Sequence, residues 1–153
     1  MKKLTAVLSS AVLAIIVVFA GIFIWKFEDW IKIPKAREAI QSALRDPSSA
    51  QFRNEKLTKL GVLCGEVNSK NSMGGYVGFK KFISVAPGAN YIEGAGRIGE
   101  ESTDDMIARM DKEIVIMKRF TAAEFEHPSK DQITEFAVAE IFRDKWAELC
   151  EES

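Results

Sequence analysis

Two cysteines have the clearest chemistry in this sequence, and their spacing favours a crosslink. Cys64 and Cys150 lie far apart, and neither belongs to a CxxC motif or to a Cys/His cluster. This spacing excludes a zinc site and a thioredoxin-like motif. In an oxidising compartment the two thiols would form a disulfide, and closing a loop of about 86 residues would stabilise the fold by about 4 to 5 kcal/mol. The alternative is two unrelated buried thiols.

The remaining reactive side chains do not form the pattern of an active site. The single histidine, His127, precedes Pro128, and no nucleophile motif such as GxSxG lies near it. The adjacent acids Asp104 and Asp105 precede a helical pattern, where they would stabilise the positive end of the helix dipole. The glycines of "GAGRIG", 94–99, lack the strand and helix of a nucleotide-binding fingerprint. We therefore expect no enzymatic activity, no metal site and no cofactor.

The most distinctive stretch is "CGEVNSKNSMGGYVGF", residues 64–79. Its first residues end a predicted strand and "YVGF" begins the next, so residues 68–75 connect a hairpin. Asn and Gly adopt positive φ readily, which a strand reversal needs. However, ordinary hairpins close with about two to five residues, and long polar loops on a sheet are common recognition elements. We predict a binding role for five residues in or beside this loop: Glu66, Asn68, Lys70, Asn71 and Tyr76.

The N-terminal segment, 4–25, is uncharged and largely apolar. A helix of this length, at about 1.5 Å per residue, measures roughly 33 Å and crosses the hydrocarbon layer of a bilayer. We predict a transmembrane signal anchor that follows a cytoplasmic tail, 1–3, and precedes a juxtamembrane segment, 26–33. The alternative is a signal peptide that is cleaved after Ala20.

The charges beside this segment leave its orientation open. Lys2 and Lys3 precede it and more basic residues follow it, which by the positive-inside rule favours a domain in the cytoplasm. A short basic N-terminus before an apolar run is nevertheless the usual layout of an export signal, and paired cysteines suit an oxidising compartment. We therefore predict that the domain, 34–153, is exported.

The charge of the domain excludes one class of partner. After the apolar segment the chain has 19 basic and 22 acidic residues, a net charge of −3, so we expect no nucleic-acid binding. Basic residues predominate in 26–82 and acidic residues in 83–153. Either the two halves neutralise each other on folding, or a basic face lies against anionic lipid headgroups.

The rest of the pattern predicts an α+β domain with one helix, a small antiparallel sheet of three to four strands, and two C-terminal helices. Apolar residues at helical spacing after Pro34 indicate a helix, 34–45, that ends before Pro47. Short alternating segments between Gly, Asn and Ser clusters indicate antiparallel strands. We place these strands at 51–58, 61–68, 76–86 and 90–94. In the third strand, Lys81 interrupts an otherwise buried row that includes Ile83, and Phe82 points to the opposite face.

The C-terminal third predicts two helices, 103–122 and 130–151. Thr103 is expected to cap the first, although "EIVIMK", 113–118, is β-branched enough for a strand. Ser129 and Gln132 have the spacing of a capping box for the second helix. This second helix is apolar on two sides, so we expect the sheet to cover one side and the first helix or a partner protein to cover the other. The first helix has an apolar stripe that we expect to face the core: Met106, Ile107, Met110, Ile114 and Met117.

Two segments resemble a signature of a known group of proteins. "LRDPSSAQFRN", 44–54, followed by "CGEVNSKNSMGGYVGF", 64–79, is similar to a pattern in small exported or membrane-anchored proteins of proteobacteria and their phages. The resemblance spans about a quarter of the chain and leaves out the apolar segment and the C-terminal helices. It implies a bacterial envelope setting and one α+β domain, and it brings no catalytic residue or cofactor.

These observations favour a protein of the bacterial inner membrane whose periplasmic domain binds another envelope protein, as an inhibitor, immunity or exclusion factor. The loop 68–75 and the exposed side of the last helix would make the contacts. The alternative is a structural or assembly subunit of a membrane complex, held by the apolar segment itself. Small residues in that segment would then allow close helix packing: Ala6, Ser9, Ser10, Ala14 and Gly21.

Overall fold

The computed structural model describes residues 12, 15–23, 26–85, 88–122 and 128–151, which divide into two units at Lys35. In the first unit, residues 15–23 are helical with exposed apolar side chains, and a π-helical turn spans Glu28–Lys32. Over the described ranges, no helix is both long enough and apolar enough to span a bilayer. The predicted membrane segment, 4–25, lies partly outside these ranges and stays a prediction.

The second unit combines helices with one antiparallel sheet, which confirms the mixed fold. Helix α1 spans Ile33–Ser42, and a short 3-10 turn, Pro47–Ser49, leads into the sheet. Two helices and a π-helical turn follow the sheet: α2, Thr103–Ala122; α3, Lys130–Trp146; and the turn Ala147–Glu151. The strands are β1, Gln51–Leu57; β2, Val62–Asn68; β3, Lys80–Val85; β4, Ala89–Ile92; and β5, Gly96–Ile98.

The sheet has five strands, so the prediction of three to four strands is wrong. The strands pair in the order β1-β2-β3-β4-β5, and each pair is antiparallel. The missed strand, β5, has only three residues, of which Arg97 pairs with Tyr91 and Ile98 with Asn90. A strand of three residues that itself begins with a glycine is too short to show alternation, so "GAGRIG" does not have the sequence pattern of a strand.

One face of the sheet packs against α3. Trp146 of α3 stacks on Phe142 with ring centroids 6.1 Å apart, and the Lys81 ammonium lies 4.6 Å from the Trp146 centroid. Lys81 therefore interrupts the buried row, as predicted, but it does so beside an aromatic ring. The core on this face is a cluster of buried residues: Val62, Cys64, Ile83, Tyr91, Phe142 and Cys150.

The opposite face of the sheet is covered as well. Successive side chains of a strand alternate, so Phe82 points away from Ile83 as predicted, and both are fully buried. Phe82 packs edge-on against Phe52, and the guanidinium of Arg37 in α1 lies 5.5 Å from the Phe52 centroid. Ile40 of α1 is also fully buried. Helix α1 therefore packs on the face that α3 leaves free.

The close fit on this face depends on Gly65. Gly65 of β2 pairs with Phe82 of β3, and a Cβ atom at Gly65 would lie 2.8 Å from a carbon of the Phe82 ring. The missing side chain lets the ring lie directly over β2. A glycine inside a strand commonly marks such a close approach.

Helix α2 packs on the outer side of α3. Ile116 of α2 is buried, Lys112 lies 2.7 Å from Asp144, and Arg119 lies 2.8 Å from Glu140. The last helix is therefore covered on two sides, by the sheet and by α2, as predicted.

The outer face of α2 corrects the prediction that its apolar stripe faces the core. Ile116 and the ionic contacts of Lys112 and Arg119 face α3 instead. The segment 113–118 is helical, so it is not a strand. The stripe itself is exposed to solvent: Met106, Ile107, Met110, Ile114 and Met117.

Serine residues cap both C-terminal helices. Ser129 forms the predicted capping box at the start of α3. Ser102, not Thr103, caps α2, because its hydroxyl accepts the N–H of Asp105 at 3.2 Å. The Asp105 carboxylate also accepts a hydrogen bond from the Tyr91 hydroxyl at 3.1 Å. The start of α2 is therefore tied to β4.

Candidate functional site

The connection between β2 and β3, residues 69–79, is the candidate site and is called the β2–β3 loop below. It is longer than the predicted connection, 68–75, because the third strand begins at Lys80 instead of residue 76. Tyr76 makes only an isolated bridge to Lys70, and Gly78 has a positive φ of 94°, which interrupts strand pairing. The extra residues lengthen the exposed connection.

Asn71 holds the tip of the loop in one conformation. Its side-chain oxygen accepts the N–H groups of Met73 and Gly75, both at 3.0 Å. Its own N–H donates to the Gly75 carbonyl at 2.8 Å, and its carbonyl accepts the N–H of Gly74 at 3.0 Å. Gly74 has a φ of 80°, a conformation that suits glycine. Asn71 therefore shapes the loop.

The base of the loop is tied to the turn before β1. The Lys70 N–H donates to the Ser49 hydroxyl at 2.9 Å, and this hydroxyl donates to the Asp46 carbonyl at 2.9 Å. The Gln51 amide donates to the Tyr76 hydroxyl at 3.2 Å, while the Lys70 ammonium lies 5.5 Å from the Tyr76 centroid. These contacts join both ends of the loop to the chain that leads into β1.

A charged pair and a ring fix the far end of the loop to β1. Arg53 donates to the Glu66 carboxylate, and its guanidinium lies 3.7 Å from the Phe79 centroid. Asn54, with a φ of 53° at a bulge in β1, donates to the same carboxylate at 3.1 Å. The hydrogen bond from Arg53 holds the pKa of Glu66 below its usual value. Glu66 therefore stays charged and links the strands beneath the loop.

The two segments of the signature thus lie side by side. The segment "LRDPSSAQFRN" supplies the turn before β1 and the start of β1. The segment "CGEVNSKNSMGGYVGF" supplies most of β2 and the β2–β3 loop, which contacts the first segment. The joint pattern has a physical reason, because residues of each segment bind residues of the other.

The loop exposes three large side chains that are apolar or aromatic, among exposed polar residues and glycines. Met73 is 93% exposed, and Tyr76 and Val77 are each about half exposed. These three residues are called the loop tip below. Tyr76 was among the predicted site residues, whereas Met73 and Val77 were not. The available signal was the presence of apolar residues within a polar and glycine-rich connection.

The five predicted site residues have different positions. Tyr76 lies at the surface beside Lys70, Asn71 organises the loop, and Glu66 lies on β2 with its ion pair. Asn68 is only 8% exposed, and its side-chain oxygen accepts no hydrogen bond from the described residues. All five lie in the loop or at its base, and their role in binding stays a prediction.

The predicted disulfide is confirmed. Cys64 of β2 and Cys150 of the turn after α3 are bonded, with Cα atoms 5.9 Å apart. The bond ties the end of α3 to the strand that leads into the β2–β3 loop. In the described ranges, no group of three acidic, histidine or cysteine residues has the arrangement of a metal site. His127 lies outside those ranges.

The fold and the loop define a disulfide-crosslinked α+β domain with a hydrogen-bonded loop that exposes Met73, Tyr76 and Val77. No family model, curated protein or solved structure matches the chain. The resemblance to exported and membrane-anchored proteobacterial and phage proteins rests on the two quoted segments alone.

Proposed function

We propose that this protein is a membrane-anchored, periplasmic protein-binding module that captures another envelope protein through the β2–β3 loop. The observation that carries the proposal is the loop tip. Met73, Tyr76 and Val77 are exposed on a backbone that Asn71 and Ser49 hold in place.

A preformed loop favours binding because little conformational entropy is lost when the partner docks. The tip joins a flexible thioether, an aromatic ring and a branched side chain, surrounded by polar residues. Buried apolar and aromatic anchors with a polar rim are the usual anatomy of a protein interface. Met73 is suited to an uneven surface because its side chain is unbranched and polarizable. The partner would therefore offer an apolar cleft.

The disulfide supports the proposed compartment. Disulfides persist in the bacterial periplasm and are rare in the cytosol. Cys64 and Cys150 are both buried and bonded, and the bond lies within the core cluster between β2 and the turn after α3. A domain built in this way suits the periplasmic side of the inner membrane, with residues 4–25 as the anchor.

The mode of action would be occupation of a partner's surface. An inhibitor, immunity or exclusion factor works by filling a cleft or covering a contact face of its target. A loop tip with exposed apolar side chains suits insertion into such a cleft. The exposed side of α3 would add further contacts.

Crosslinking in intact cells tests this proposal. A photo-crosslinking amino acid replaces Met73 in one strain and Leu60 in the control strain. Leu60 is 70% exposed in the turn between β1 and β2, away from the loop tip. We expect one envelope protein to be captured from position 73 and not from position 60. Equal capture from both positions, or none from position 73, would contradict the proposal.

The second candidate is an assembly subunit that is held by its membrane segment. The exposed apolar side chains of residues 15–23 favour this candidate, and apart from its chain neighbours and its own helix backbone no described atom lies within 4 Å of a Cβ built at Gly21. Replacing residues 4–25 with an unrelated anchor separates the two functions. Capture from position 73 survives this exchange in a loop-binding protein and is lost in an assembly subunit.

A further inference from the structure

We propose that two copies of this chain associate through the outer face of α2, with the two helices antiparallel. The face consists of four residues of the exposed apolar stripe: Ile107 is 52% exposed, Met110 52%, Ile114 43% and Met117 48%. Single exposed apolar residues are ordinary, but a continuous row on one helix face indicates an interaction surface. This surface is separate from the β2–β3 loop, so the two proposals stand or fall independently.

The spacing of the row indicates that its occupant is a helix. Ile107, Met110, Ile114 and Met117 follow one another at intervals of three, four and three residues. This alternation repeats every 3.5 residues on average, which is the period of helices that pack side by side along their length. The opposite face of α2, with Ile116, already packs on α3. The exposed row is therefore a second helix-packing face.

The charges beside the row indicate that the occupant is a second copy. Asp104 lies in the first turn of α2, and Lys118 lies near its end. The two residues lie on the same side of the row, because a separation of 14 residues is close to four helical turns. Neither makes an ion pair with another described residue. In an antiparallel pair, Asp104 of each copy lies beside Lys118 of the other. A parallel two-fold pair would instead turn this side of the row towards the opposite side of the partner's row, so Asp104 and Lys118 would not meet.

Asp111 lies between these two residues on the same side of the row. Near the two-fold axis of an antiparallel pair, it would face Asp111 of the second copy. Like charges in this position weaken the association. Asp111→Asn is therefore expected to tighten the dimer, a result that a helix from an unrelated protein has no reason to produce.

Sedimentation velocity of the full-length protein in a mild detergent tests the association. We expect a concentration-dependent dimer and a dissociation constant that increases about tenfold or more in Met110→Glu, because a carboxylate would be buried at the centre of the row. Leu60→Glu makes a similar change at an exposed site away from α2 and should leave the constant unaltered. Circular dichroism checks that both variants keep their helices.

A charge exchange identifies the partner. Asp104→Lys and Lys118→Glu are each expected to increase the dissociation constant about threefold or more, since each change places two like charges together at both ends of the interface. The double variant restores opposite charges and should return to the wild-type constant. A wild-type protein that stays monomeric, a Met110→Glu variant that dimerises normally, or a double variant as weak as the single ones would overturn the proposal.

Discussion

The guanidinium of Arg53 donates a hydrogen bond to the carboxylate of Glu66, directly across the pairing of β1 with β2. The same guanidinium lies over the ring of Phe79, the last residue of the signature segment and the residue before β3. One side chain therefore joins two strands and the end of the β2–β3 loop. The arrangement has consequences for the stability of the domain at low pH.

Stability is expected to fall on acidification through Glu66. The hydrogen bond from Arg53 lowers the pKa of Glu66 below its usual value of 4.5. The Glu66 carboxylate therefore binds a proton more readily in the unfolded state than in the folded state. The stability that this lowered pKa contributes is fully present above about pH 4.5 and is lost as the pH falls through the lower folded pKa. Urea unfolding of wild type and Arg53→Gln between pH 7 and pH 3 measures it. We expect the difference between the two proteins to shrink below pH 4.5, and a difference that is constant over this range would refute the assignment.

Asn71 is expected to act on the order of the loop and not as a contact residue. Asn71→Ala removes the acceptor for two backbone N–H groups, so hydrogen exchange of Met73 and Gly75 should speed up. Asn71→Asp keeps an oxygen in this position and should preserve slow exchange. Both substitutions leave Met73 in place. Equal exchange in all three proteins would show that Asn71 does not hold the tip.

Gly65→Ala is expected to destabilise the domain by about 1 to 3 kcal/mol, because the new methyl group would overlap the ring of Phe82. Gly75→Ala is the matched control, since the nearest atom to its Cβ would be 3.7 Å away. Chemical denaturation measures both. A loss of stability that is no larger in Gly65→Ala than in Gly75→Ala would show that the Phe82 ring has room to move.

The disulfide is expected to contribute about 4 to 5 kcal/mol to the free energy of unfolding, since it closes a loop of 86 residues. Cys64→Ser, Cys150→Ser and the double variant should each lose this amount, because either single change removes the same bond. Unfolding in urea with and without reductant measures the loss. If the stability lost in the double variant equals the sum of the losses in Cys64→Ser and Cys150→Ser, the two cysteines act independently, by packing alone and not through a bond.

The sequence predicts features that depend on near neighbours or on one chemical pairing. The capping box of Ser129 is local, and the bond between Cys64 and Cys150 follows from two thiols with no other partner. The double coverage of α3 follows from apolar residues on two of its sides. In each case, residue types alone restrict the structure to few possibilities.

Other features depend on tertiary contacts that a pattern does not contain. A row such as Ile107 and Met110 shows that a helix face is apolar, but it does not show what covers that face. The ion pair of Lys112 with Asp144 joins the side of α2 opposite this row to α3, and no local pattern in the sequence shows that pairing. At the loop, the polarity of Asn71 suggested a contact residue, whereas its side chain is used by the backbone beside it.

The most direct test of the central claim is the affinity of the captured envelope protein for loop-tip variants. With Met73 and Val77 both changed to alanine, we expect binding to weaken about tenfold or more while the melting temperature stays unchanged, because both side chains are exposed. Leu60→Ala should bind as the wild type does. If the double variant binds within about twofold of the wild type, the β2–β3 loop is not the binding site.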